Sequence, residues 1–182
     1  MLSDLVREGK VRYVGHSNFS GWQTADAEWV ARTEGHVRFV SAQNEYSLLE
    51  RGIETDLVPA LEQYGIGLLP YFPLASGLLT GKYQRGQEIP KGSRIEAWGM
   101  SDALTDRAFD VVEGLTKAAD DRGVRLLDVA IGGLAAQPAV SSVIAGATSA
   151  EQVRSNVRAG QWEPTADDLA EIDSITQGAR EV

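Results

Sequence analysis

The 182-residue chain has no cysteine, which excludes disulfides and thiolate metal sites. Histidine is scarce too: His16 and His36 are the only two, too few for an ordinary structural zinc site. No apolar run approaches the roughly 20 residues a membrane helix needs. The opening "MLSDLVREGK" carries charges throughout, so it lacks the apolar centre of a signal peptide and reads as the end of an amphipathic helix. Basic residues number 17 against 26 acidic, for a net charge of -9. The isoelectric point is near 4.7. That balance argues against nucleic acid or an anionic membrane as a partner held by bulk charge, although a local basic patch can still take a phosphate. A soluble, cytoplasmic protein is expected.

What is present is ordinary for a globular protein: 43% hydrophobic and 24% charged residues, enough chain to bury a core, with one domain over residues 1–182 as the default. Four short β-branched runs stand out: "VRYVGHS", "VRFVSAQN", "IGLLPYFP" and "VSSVIAG". Helical patterns separate or follow them. Residues 21–35 place Trp22, Ala25, Trp29 and Val30 on one face. Residues 54–65 end at Gly65, a C-cap, and residues 104–123 carry Phe109, Val112 and Leu115 as their stripe. Ser149 with Gln152 and Thr165 with Asp168 have capping-box spacing. Residues 75–103, rich in Gly, Pro, Lys and Arg, read as a long irregular loop, a kind that is usually functional or mobile. Gly132 and Gly133 sit inside a helical pattern, where each costs roughly 0.8–1 kcal/mol against Ala and leaves volume to fill.

Strands alternating with helices predict βαβ units and a parallel sheet. "GHSNFSG" lacks the glycine fingerprint expected in a doubly wound fold. Instead all four strand ends are polar or special: Ser17-Asn18, Gln43-Asn44, Tyr71-Phe72-Pro73 and Gly146-Ala147-Thr148. Functional residues at the C-terminal ends of several strands favour (β/α)8 barrel chemistry, yet a barrel needs eight strands and only four are legible.

At these strand ends the chain resembles the aldo-keto reductase superfamily, near its bacterial members and the potassium-channel β subunits. "GKVRYVGHSNFS", "QNEYSLLER", "LLPYFPLASGLLTGKY" and "SVIAGATSAEQVRSN" carry the likeness, in order and at fitting spacings. The resemblance implies an α/β fold that is the C-terminal half of a TIM barrel, with four parallel strands and surrounding helices. The family's catalytic Asp, Tyr, Lys and His belong to its first half and have no counterpart here. His16 occupies a position where the family usually has a small apolar residue. Met1 falls inside the helix before the family's fifth strand, so some form of truncation is the expected reason for the missing half. A chain of this kind is expected to be inactive alone. It would meet a small carbonyl substrate only if the barrel were completed, by a second copy or by a complementing N-terminal half.

By the same resemblance most of an NADP(H) site survives. Ser17, Asn18 and Gln43 would hold the nicotinamide carboxamide, which needs paired donors and acceptors, and Tyr71 would stack on the ring. Phe72, Pro73, Leu74, Ala75, Ser76 and Gly77 would run along the pyrophosphate with backbone N–H donors, Phe72 replacing the usual Ser. Lys82 and Arg94 would clamp phosphates. Gly146, Thr148 and Gln152 would surround the adenosine ribose and its 2′-phosphate, and Asn156 would bond the adenine, with Ser155 where the family usually has Glu. No acidic residue stands where it would repel a 2′-phosphate, so NADP(H) is expected over NAD(H).

Overall fold

A computed structural model describes residues 1–177; residues 178–182, the tail of the expected domain, lie outside the described residues. The elements in chain order are α1 (Leu2–Arg7), β1 (Val14–Ser17), α2 (Gly21–Glu34), β2 (Phe39–Gln43), α3 (Leu57–Tyr64), β3 (Gly67–Leu68), α4 (Arg94–Trp98), α5 (Asp106–Asp121), α6 (Leu126–Ala135), α7 (Ala150–Ala159) and α8 (Ala166–Thr176). This is an α/β fold built on a parallel sheet in the order β1-β2-β3. Its register sets His16 beside Ala42 and Ser17 beside Gln43, and continues from Ala42 to Leu68.

Four strands were expected and the sheet holds three. The run 140–146 does lie along β3: Leu68 N–H donates to the Ala139 carbonyl at 2.7 Å, and Ser141 N–H returns a bond to the Leu68 carbonyl at 2.9 Å. The next donor on that side of β3 should come from residue 70, which is proline and has no N–H. The ladder stops there, and Ile144 N–H bonds the Pro70 carbonyl at 2.9 Å one residue out of regular step.

α2 turns its tryptophan-bearing face outward. Its buried residues are Gly21, Thr24, Glu28 and Ala31, while Trp22 and Trp29 are 70% and 64% exposed. The inward stripe is small and polar because it is already committed. Gly21 N–H bonds the Asp56 carboxylate at 2.9 Å, and buried Glu28 takes Arg32 and Arg38, both at 2.6 Å. Two indole rings cannot share that contact. By contrast α5 buries Phe109, Val112 and Leu115 as its periodicity predicts, with Thr105 accepting from Ala108 N–H as N-cap.

Gly65 closes α3 in the left-handed region (φ 66°), open to a residue without Cβ. Thr165 and Asp168 form the expected capping box. At α7 only half of one forms: Ser149 caps Gln152 N–H, but the Gln152 side chain turns instead to Thr148. The 75–103 segment is more ordered than its composition suggests. It holds 3₁₀ turns at Ala75–Thr80 and Ser101–Ala103 and the helix α4, and buried Tyr83 and Ile95 pin it to α5 and α6.

No packing volume stands empty at the two helix glycines. A Cβ on Gly132 would lie 2.7 Å from the Trp162 carbonyl oxygen, so the glycines admit the chain that follows α7 rather than leaving a hole. Arg51, 1% exposed, ties the segment after β2 to α8: it bonds Glu54 at 2.6 Å, Asp173 at 2.7 Å and the Thr176 hydroxyl at 2.5 Å. Tyr46 donates to the same Glu54 at 2.6 Å, and burial, then Glu54, pushes its hydroxyl far above the usual phenol range.

Candidate functional site

Because the three strands are parallel, the residues that end them collect at one edge of the sheet. Ser17 Oγ donates to the Gln43 carbonyl at 2.8 Å, and Asn18 N–H donates to the same oxygen at 3.1 Å. Asn18 takes a left-handed backbone (φ 59°), one of the few side chains that tolerate it. From there its Oδ1 accepts the Tyr71 hydroxyl at 3.0 Å, across 53 residues of sequence. Ser17, Asn18, Gln43 and Tyr71 are thus brought together by the sheet and three hydrogen bonds. All but Tyr71, which is half-buried, are exposed.

The segment after Tyr71 is bent hard. Phe72, Ala75, Ser76 and Gly77 all have positive φ, at 52°, 44°, 55° and 97°. Three of these carry side chains, a concentration of strain typical of functional loops. Only part of the expected row of backbone donors is open. Ala75 N–H bonds the Phe72 carbonyl at 2.9 Å and Gly77 N–H the Leu74 carbonyl at 2.8 Å, and Pro73 has no N–H. Phe72 and Leu74 N–H make no such bond among the described residues. Lys82 folds back over this turn: its Nζ lies 5.0 Å from the centre of the Tyr83 ring, and a Cβ on Gly77 would meet it at 2.6 Å.

Arg94 connects this loop to the next cluster. Its guanidinium lies 5.8 Å from the Phe72 ring centre and 4.9 Å from that of Trp98, and a Cβ on Gly146 would lie 3.9 Å from its Nη2. Beyond Gly146, Gln152 Oε1 accepts from Thr148 N–H at 2.7 Å and from the Thr148 hydroxyl at 3.1 Å, joining those two residues. Asn156 stands apart. It lines a cleft of about 370 Å³ between α6, α7 and the run 142–147, with Ile131, Val143 and Val157 among its apolar walls. Ser155 accepts from Arg125 at 2.8 Å, so its hydroxyl is turned to α6.

Two residues at this edge escaped the sequence reading. Glu45 bridges to Tyr71 in the sheet, and burial, then the neighbouring Glu50 charge, raises its carboxyl above the usual range. Its alternation with Gln43 was the available signal. Trp98 was passed over, although it stands four residues after Arg94, one helical turn away. Among the described residues no group of three His, Asp or Glu is placed to hold a metal ion. Nor, among those residues, is any helix long and apolar enough to cross a membrane.

A parallel α/β chain with polar side chains gathered at its strand ends is the class these features define. The aldo/keto reductase family model matches residues 1–177, and the chain belongs to that family. It is 38% identical over 181 residues to a probable voltage-gated potassium channel subunit beta of Arabidopsis thaliana, an alignment covering 97% of this chain and 55% of that protein. It is 33% identical over 180 residues to L-glyceraldehyde 3-phosphate reductase of Escherichia coli K12, covering 94% and 51%. An uncharacterized oxidoreductase of Bacillus subtilis, YrpG, is 32% identical over 173 residues, covering 95% and 51%. The chain spans about half the length of the curated relatives it matches.

Proposed function

We propose that this chain is the NADP(H)-holding half of an aldo-keto reductase barrel, strands five to eight, whose complete form reduces aldehydes or ketones to alcohols. The observation that carries this is the meeting of Ser17, Asn18, Gln43 and Tyr71 at the carboxyl ends of adjacent parallel strands. The cofactor supplies a hydride when bound. Asn18 and Gln43 offer amide donors and acceptors to a carboxamide, and the Tyr71 ring, its hydroxyl anchored on Asn18, offers a flat face at fixed orientation. The loop 72–77 with Lys82 and Arg94 offers cations to phosphates, and the Thr148–Gln152 pair offers polar groups to a ribose. Arg94 near Gly146 favours NADPH over NADH. The Asp, Tyr, Lys and His that perform proton transfer in the family have no counterpart in this chain, so it binds and orients without catalysing alone.

A second reading keeps the nucleotide site and drops the chemistry: a half-barrel that associates with another copy or another chain. The exposed apolar residues favour it. Tyr13, just before β1, and Trp22 and Trp29 on α2 lie open on one side, and Ile144, Val153 and Val157 on the other. Among the described residues β1 has no strand on its outer side, and an open sheet edge is an association surface. The similarity to proteins named as channel β subunits fits a nucleotide-binding subunit that works beside a partner.

One experiment separates these. NADPH is titrated into the purified chain with tryptophan emission as readout and NADH as control, while light scattering gives the mass. Saturable binding that prefers NADPH supports the cofactor reading, and a dimer adds the association reading. A monomer that binds neither nucleotide overturns both. Carbonyl turnover comparable to a full-length relative would refute the non-catalytic assignment.

A further inference from the structure

We propose that Phe72 and Trp98 are positioning residues that hold the Arg94 guanidinium toward the Gly146 turn to receive a phosphate group of the bound dinucleotide; this rests on the cofactor reading above. Arg94 is exposed and sits on a five-residue helix, a poor platform for a fixed side chain. Two aromatic rings compensate. Trp98 lies one turn further along α4 with its ring centre 4.9 Å from the guanidinium carbon, and Phe72 approaches from a different loop at 5.8 Å. A planar guanidinium between aromatic rings is attracted by their quadrupoles and loses its rotational freedom before any ligand arrives.

Phe72 is itself held. Its left-handed backbone (φ 52°) turns the ring against Tyr71 edge-to-face, at 5.3 Å between centres and 77° between planes. A continuous series of ring contacts therefore runs from Tyr71 through Phe72 and Arg94 to Trp98. The sequence departure at position 72 acquires a purpose: the ring replaces a direct hydroxyl contact by fixing a cation.

The charge on Arg94 is also left available. Arg85, Arg122 and Arg125 each pair with a carboxylate, whereas Arg94 forms no ion pair among the described residues. The acid two residues away, Glu96, turns instead to Gly92 N–H at 2.6 Å. A preorganised, unneutralised guanidinium beside a residue without a side chain, Gly146, fits an anion. Trp98, 60% exposed, has in this arrangement a reason to be on the surface.

The test is a mutant cycle on NADPH affinity in the 182-residue chain. Trp98→Leu and Phe72→Leu should each weaken NADPH binding by about fivefold, and Trp98→Phe should recover most of it. In an Arg94→Ala background Trp98→Leu should have no further effect, because its action passes through the guanidinium. A general packing defect would weaken binding equally in both backgrounds, and that result overturns the inference. So does wild-type affinity in both leucine variants, which leaves the cofactor reading standing. If the wild-type chain binds no NADPH the cofactor reading fails, and inorganic pyrophosphate followed at the Arg94 Nε–Hε NMR resonance decides the positioning role. A titration weakened by Trp98→Leu supports it, and an unmoved resonance overturns it.

Discussion

Replacing Gly132 by alanine sets two physical effects against each other. Helix propensity alone says that the change stabilises α6 by about 0.8–1 kcal/mol. The packing says the reverse. The new methyl carbon would lie 2.7 Å from the Trp162 carbonyl oxygen and 3.0 Å from that of Ala159. Both are backbone atoms, fixed by the turn that follows α7, so neither can rotate aside. Overpacking of this kind costs about 1–3 kcal/mol, and subtracting the propensity gain leaves a net loss of about 1 kcal/mol. Gly133 provides the control one residue away. Its Cβ would meet only the tip of Ile172 at 3.1 Å and the Trp162 ring at 3.8 Å, and a side-chain tip can turn. Gly133→Ala should therefore be neutral or stabilising by up to about 1 kcal/mol. Urea unfolding followed by circular dichroism reads both: the midpoint should fall for Gly132→Ala and hold or rise for Gly133→Ala, with unchanged slopes. A Gly132→Ala midpoint at or above wild type would show that α6 and the chain after α7 are not in the contact described, and the reasoning falls with it.

Two further outcomes concern pH. The Arg122 guanidinium, then the Thr165 N–H and hydroxyl, lower the Asp168 carboxyl to about 2, so its contribution to stability is present above the ordinary carboxylate range and is lost as pH falls towards 2. Arg122→Leu should move the Asp168 titration back towards 3.8, read by NMR of the carboxyl carbon, and an unmoved titration would remove Arg122 as the cause. Burial holds His16 below its ordinary 6.5, and Thr24 Oγ1, which donates to the Ser20 carbonyl, can only accept from its Nε2 at 3.5 Å. The unfolded chain therefore binds a proton first, stability declines as pH drops below about 6.5, and His16→Leu should flatten that decline in melting temperature. A slope identical in the two proteins would contradict it.

Local chemistry was legible wherever one residue decides one bond. Gly65 at a helix end, Thr165 with Asp168, and the stripe of Phe109, Val112 and Leu115 all stand where pattern puts them. The strand ends were legible too, because a polar side chain terminating an apolar run has few other places to go. The exposure of Trp22 and Trp29 was not legible for a definite reason: periodicity shows which residues share a stripe of α2, not which stripe meets the protein. The inner stripe was claimed by Gly21 on Asp56 and by Glu28 with its two arginines, contacts spanning up to 35 residues. The fourth run failed as a strand through one proline on its neighbour, a defect invisible from the run's own residues.

The sequence by itself determined the family, the parallel alternation, and the presence of Ser17, Asn18, Gln43 and Tyr71 in the right order along the chain. It could do so because each rests on local composition and spacing. Only the tertiary structure decided that Tyr71 reaches Asn18, that Phe72 faces Arg94, and that Gly132 serves a backbone contact. Those are distances between segments far apart in the chain, set by the sheet register and by which helix face loses the competition for the core.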